Sequence, residues 1–138
     1  MKKIYLALVA LGAGALAAGS AIAHHSFAAE FDRDKPVELT GIVTKVEWTN
    51  PHVWFYINVR DAESGEMANW GVELGPPHLL QRRGWRRDTL SIGTEVKVNG
   101  SLARNGSNRV NSNTVTLTAT GGRPGETLDA ASSANEGN

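Results

Sequence analysis

Residues 52–59, HVWFYINV, place Val53, Phe55, Ile57 and Val59 on one side of an extended chain and His52, Trp54, Tyr56 and Asn58 on the other, because successive strand side chains point to opposite faces. One face is aliphatic enough to cover a core. The other carries aromatic and polar groups, so the stretch reads as a half-buried strand with a functional-looking outer surface. Asn50-Pro51 immediately before it is a turn signal.

Working outward, VELTGIVTKVEW from Val37 gives a preceding strand with Val37, Leu39, Gly41 and Val43 on one face, and Gly41 suggests a bend or bulge. DAESGE supplies a turn after the second strand. The next run, about 67–74, sends Trp70, Val72 and Leu74 one way and Asn69, Gly71 and Glu73 the other. Pro77 then occupies a favoured first helical position, and Gly84 falls where a glycine would end about two turns of helix. Trp85 and Leu80 form the apolar pair that accompanies a Schellman cap. TEVKVNGSLA and RVNSNTVTL make two further strands, and Asn105-Gly106 between them favours a type I′ turn. The order predicts a mainly β domain over 37–118, a small five-stranded OB-like barrel with one short helix between strands three and four. Residues 24–36 form an N-terminal segment, and 119–138, rich in Gly, Ala, Ser and Asn, are expected to be disordered.

The chain starts with Lys2-Lys3, an apolar run from Ile4 to about Ala18, and the triplet Ala21-Ile22-Ala23. This is the pattern of a signal peptide over 1–23 with an A-x-A cleavage site. Gly12, Gly14, Gly19 and Ser20 thin the second half of the run, so cleavage is favoured over a retained anchor that needs about 20 apolar residues. The expected product is periplasmic, begins at His24 and keeps no membrane span. Fourteen basic and 14 acidic residues balance, and loss of Lys2 and Lys3 leaves the remainder slightly acidic, which argues against a nucleic-acid partner. The absence of cysteine excludes disulfides, thiolate metal sites and cysteine nucleophiles.

His24-His25-Ser26-Phe27, Val46-Glu47-Trp48-Thr49-Asn50-Pro51-His52, Asn69-Trp70, Glu73-Leu74-Gly75 and Arg82-Arg83-Gly84-Trp85 occur in this order. Together they resemble a family of small exported bacterial proteins known only as a domain of unknown function. The resemblance runs from His24 to about Leu117 and implies no activity.

A mature chain beginning at His24 offers a free α-amine and an imidazole Nδ1 that can close a chelate ring on one metal ion. Copper(II) suits such nitrogen ligands, and a third nitrogen, from His52 or else His25, would complete a histidine brace. Proton competition predicts weaker binding below about pH 6, since the reference values are about 7.7–8.0 for the amine and 6.5 for histidine. The plainer reading of His24 and His25 is a solvated chain end, and His52, outward-facing by alternation, reads equally as a ligand or as an ordinary surface residue. His78, in the first helical turn, reads as exposed. Glu30, Asp32 and Glu73 are candidates to orient an imidazole or add an oxygen ligand.

A second function reads from the same sequence: a metal-free recognition module for an envelope protein or glycan. Trp54, Tyr56, Asn69 and Glu73 would form an aromatic and polar face, with Arg82, Arg83 and Trp85, flanked by Arg86 and Arg87, as a cationic cluster. Two structural roles compete with it: Phe27 and Phe31 covering the aromatics, and the arginines complementing the helix C-terminus. A copper monooxygenase is a third class, but no serine triad or paired carboxylates stand out, so binding is the expected task rather than turnover.

Overall fold

The computed structural model describes residues 27–119, 125–132 and 134. The signal segment, His24 and His25 lie outside them. A helical turn over 27–30 (α1) leads into β1 (Phe31–Glu47), followed by β2 (Trp54–Arg60), β3 (Met67–Glu73), α2 (Pro77–Arg82), β4 (Glu95–Ala103), β5 (Arg109–Leu117) and β6 (Glu126–Asp129). Hydrogen bonding orders the sheet β3-β2-β1-β4-β5-β6, and a further pairing of β3 with β5 closes a ring of five strands. That closing pair is parallel, Gly71–Glu73 against Arg109–Asn111, whereas the other pairs are antiparallel. The mainly β, OB-like arrangement with α2 between the third and fourth strands is therefore present.

The interior of the ring takes the faces that alternation assigns to it: Leu39 and Val43 from β1, Phe55 and Ile57 from β2, Val72 from β3, Val96 and Val98 from β4, and Val110 and Val115 from β5. Each such side chain contributes about 1.5–3 kcal/mol through removal from water. α2 adds Leu80, and its end is closed as expected. Gly84 (φ 91°) donates its N–H to Gln81, and Trp85 donates its N–H to Leu80. This is the paired bonding of a Schellman motif.

β1 departs most from the sequence reading. It begins at Phe31 rather than Val37, because Phe31 and Asp32 pair with Ala103 and Leu102 of β4. Gly41 is not the irregularity: a side chain there would meet the Asn58 carbonyl oxygen at 2.6 Å, so the glycine permits close approach of β2. The register shifts later, between Val43 and Lys45. The extra residue reverses the alternation, so that Val46 and Trp48 pack against the core while Lys45 and Glu47 lie opposite Tyr56 and Trp54.

Two other expectations are corrected. The β4–β5 connection is not a type I′ turn, which needs left-handed φ at both central residues. Among the described residues only Gly106 has it there (φ 77°), and the Asn105 side chain instead accepts from the N–H and hydroxyl of Ser107. The tail is not featureless either. β6 pairs with β5, and Leu128, Ala130, Ala131 and Ser132 are buried. Gly75 makes room for this segment, since a Cβ there would stand 2.1 Å from the Ala131 carbonyl oxygen. Among the described residues no helix is long and apolar enough to cross a membrane.

Candidate functional site

The outer face of β2, β3 and β5 collects the polar and aromatic residues that alternation turned away from the core. At its upper end, just before β2, the His52 Nδ1 lies 2.5 Å from the Glu73 Oε1. Glu73 is only 6% exposed, and its Oε2 lies 3.5 Å from the Asn111 side-chain nitrogen. Asn111 is itself buried and accepts a 2.5 Å hydrogen bond from the Ser132 hydroxyl. A polar chain thus runs from His52 through β3 and β5 to the C-terminal segment. Each link satisfies a group whose burial would otherwise be costly.

Beside this chain, Trp54 receives cover from the N-terminal segment. Phe27 and Phe31 stack with centroids 5.8 Å apart and, with Ala103, form a buried cluster against which Trp54 and Ala134 pack. The Arg33 guanidinium lies over the Phe27 ring at 5.2 Å. Docking of Phe27 and Phe31 on the aromatic face is thus realised. Tyr56, one step further along, stays partly open.

Around Tyr56 the face deepens into a groove of about 400 Å³ lined by Glu47, Trp54, Tyr56, Asn69, Gly71 and Arg109. β1 supplies Glu47 on one side, β5 supplies Arg109 on the other, and β2 and β3 form the floor. The Arg109 guanidinium sits 4.7 Å from the centre of the Trp54 ring, a cation–π arrangement. The Tyr56 hydroxyl donates to Glu47 at 3.2 Å, and Lys45 pairs with the same carboxylate. The Lys45 hydrogen bond is the largest influence holding the Glu47 carboxyl below its ordinary pKa, and the tyrosine hydroxyl acts in the same direction. Burial, followed by the bond to Glu47, pushes the Tyr56 phenol up. Asn69 donates to Asn58, Thr44 and the Ile57 carbonyl, so its amide is held in place.

The remaining sequence candidates separate from this face. Trp85 is 1% exposed and donates its indole N–H to the Asp129 carbonyl, which makes it a core and capping residue rather than a surface ligand group. Arg83 pairs with the Asp129 carboxylate, while Arg82, Arg86 and Arg87 are exposed. Asp32 is paired with Arg104 at 3.2 Å, and Glu30 lies 3.7 Å from Arg109. Of the three acids considered as partners for an imidazole, Glu73 is the one beside His52. His78 is exposed. Among the described residues no three His, Cys, Asp or Glu side chains converge as a metal cage.

Sequence reasoning missed Glu47, Arg109 and Asn111. The bulge that turns Glu47 outward and the parallel β3–β5 pairing that brings Arg109 and Asn111 alongside Gly71 and Glu73 leave no local signature in composition or spacing.

Fold and site together define a small OB-like β module with a built polar and aromatic outer face. The chain belongs to DUF6152, a family of unknown function whose model matches residues 13–112. A comparison with curated proteins finds no match.

Proposed function

We propose that this protein is a periplasmic binding module for one copper ion, held by the α-amine and imidazole of a mature N-terminal His24 with His52 as the third nitrogen ligand. The observation that carries the reading is the docking of Phe27 in the cluster that includes Trp54. His24 is three residues before Phe27, and three residues span at most about 10 Å. His52 is two residues before Trp54, just ahead of β2, and a reach of that length would allow the two histidines to share one ion.

The donor set fits the metal. With Nδ1 directed to Glu73, His52 would meet copper through Nε2, the carboxylate–imidazole pairing that commonly orients metal-bound histidines. Nitrogen donors suit copper(II). The ion, when bound, would supply Lewis acidity and one-electron redox capacity, and the chain's own part is to fix the two imidazoles and the amine.

The test is export with native cleavage, confirmation of His24 as the first residue by mass spectrometry, and copper(II) titration followed by electron paramagnetic resonance. A stoichiometric nitrogen-rich signal is expected, lost when one residue is added before His24 and weakened in His52→Ala. Weak binding indifferent to both changes overturns the reading. Acidification below about pH 6 is expected to release the ion, because both donor types then hold protons.

A further inference from the structure

We propose that the groove over Gly71 is a binding site for a small hydroxylated carboxylate of the uronic or aldonic acid class, with Arg109 holding the carboxylate. The inference does not depend on a metal.

The first argument is the glycine itself. At Gly41, Gly75 and Gly100 the fold demands glycine, since a Cβ would strike backbone oxygens at 2.6, 2.1 and 2.1 Å. Gly71 is different. Its φ is not in the left-handed region, and a Cβ there would meet Tyr56 Cε1, Trp54 Cζ3 and Arg109 Cγ at 3.5, 3.6 and 3.7 Å, all ordinary contacts. Glycine in a strand interior weakens it, and one established reason to keep it is close approach by a ligand. Packing and backbone conformation permit a side chain at 71, yet Gly71 is buried opposite its cross-strand partner Tyr56, so the glycine lets Tyr56, Trp54 and Arg109 settle low over the strand as the lining of the groove.

The second argument is the state of Arg109. Its guanidinium is held against the Trp54 ring, which limits the freedom it would lose on binding. Its acidic neighbour Glu30 stands at 3.7 Å, beyond hydrogen-bond length. Among the described residues the guanidinium makes no hydrogen bond. It also borders a second opening of about 290 Å³ lined by Glu30, Phe31 and Arg104. A planar fork of donors presented in this way matches a carboxylate in bidentate fashion.

The third argument selects the rest of the ligand. The wall opposite Arg109 carries the Glu47 carboxylate and the Tyr56 hydroxyl. Lys45 pairs with Glu47, so this wall carries little net charge, but its ionised carboxylate still accepts from hydroxyl groups. A molecule anionic at one end and hydroxylated along its body satisfies both sides. The groove volume suits one sugar-sized ring, lying within the usual range of about 300–1,000 Å³ for small-molecule sites.

The experiment is an amide-resolved NMR titration of the mature protein in EDTA with D-galacturonate, D-glucuronate and D-gluconate, against D-galactose and inorganic phosphate. At least one of the acids is expected to shift amides of β2 and β3 around Tyr56 and Gly71 saturably, and to bind roughly tenfold or more tightly than galactose. Arg109→Gln should abolish that preference. Gly71→Ala should weaken binding while leaving the melting temperature within about 2 °C, which separates a filled groove from a damaged fold. Absence of saturable shifts with all three acids up to about 20 mM, a range reaching the weakest useful affinities, overturns the proposal. So does equal binding of galactose or phosphate, or acid binding unchanged by Arg109→Gln. None of these outcomes bears on copper binding, because the titrated protein is metal-free and His52 is left intact.

Discussion

Glu73 holds His52 from within the sheet: one carboxylate oxygen is 2.5 Å from the imidazole Nδ1, and the other is turned toward Asn111. A carboxylate so placed selects which imidazole nitrogen is left for a ligand. On the copper reading, Glu73→Gln is expected to lower affinity by about 10–100-fold, measured by competition with a chelator of known strength. Affinity unchanged in Glu73→Gln would show that the pair has no part in metal binding.

Ser132 ends the same polar chain from the far side. Ser132→Ala removes the hydroxyl that donates to Asn111 and leaves a buried amide oxygen without that donor. The expected cost is about 1–3 kcal/mol in urea unfolding. Wild-type stability would mean that the amide finds another partner.

Gly100 and Gly71 make a matched pair for testing the packing. An alanine at 100 would drive its Cβ to 2.1 Å from the Asn111 carbonyl oxygen and 2.8 Å from Val110 Cγ2, with backbone that cannot yield cheaply. Gly100→Ala should destabilise by about 1–3 kcal/mol or more, whereas Gly71→Ala should be close to neutral. Equal denaturation midpoints for the two variants would contradict this packing.

In the β2–β3 turn, Asp61 accepts from the N–H and hydroxyl of Ser64 and from the N–H of Glu63, and these bonds, Ser64 first, hold its carboxyl below the ordinary value of 3.8. A depressed folded pKa gives a contribution that is present above the unfolded value and lost as pH falls through the folded one. The turn should therefore loosen only below about pH 3.8. A carboxyl-carbon NMR titration of Asp61 with a midpoint at or above 3.8 would contradict the hydrogen-bonded turn.

The sequence was most legible where one periodicity ran without interruption. HVWFYINV assigns Val53, Phe55 and Ile57 to the core, and Pro77, Gly84 and Trp85 mark both ends of α2, because these signals act within a few residues. Legibility failed where the decision is made across space. The bulge after Val43 reverses a face, and β6 owes its order to the open side of β5 and to Gly75 rather than to its own Gly- and Ala-rich neighbourhood. Of the site, His52, Trp54, Tyr56, Asn69 and Glu73 were visible as one outer face. Arg109 and Asn111 join them only through strand closure.

β3 covers β5 only along Arg109–Asn111, and β6 covers Thr114–Leu117 on the remaining length. A chain cut after Leu117 would lose the core contacts of Leu128, Ala130 and Ala131 and also present an uncovered run of backbone donors and acceptors along β5, a template for another molecule's strand. The last short strand is in this sense a guard against self-association. It lies beyond residue 112, where the family match ends, so the edge of β5 is covered by residues outside that match.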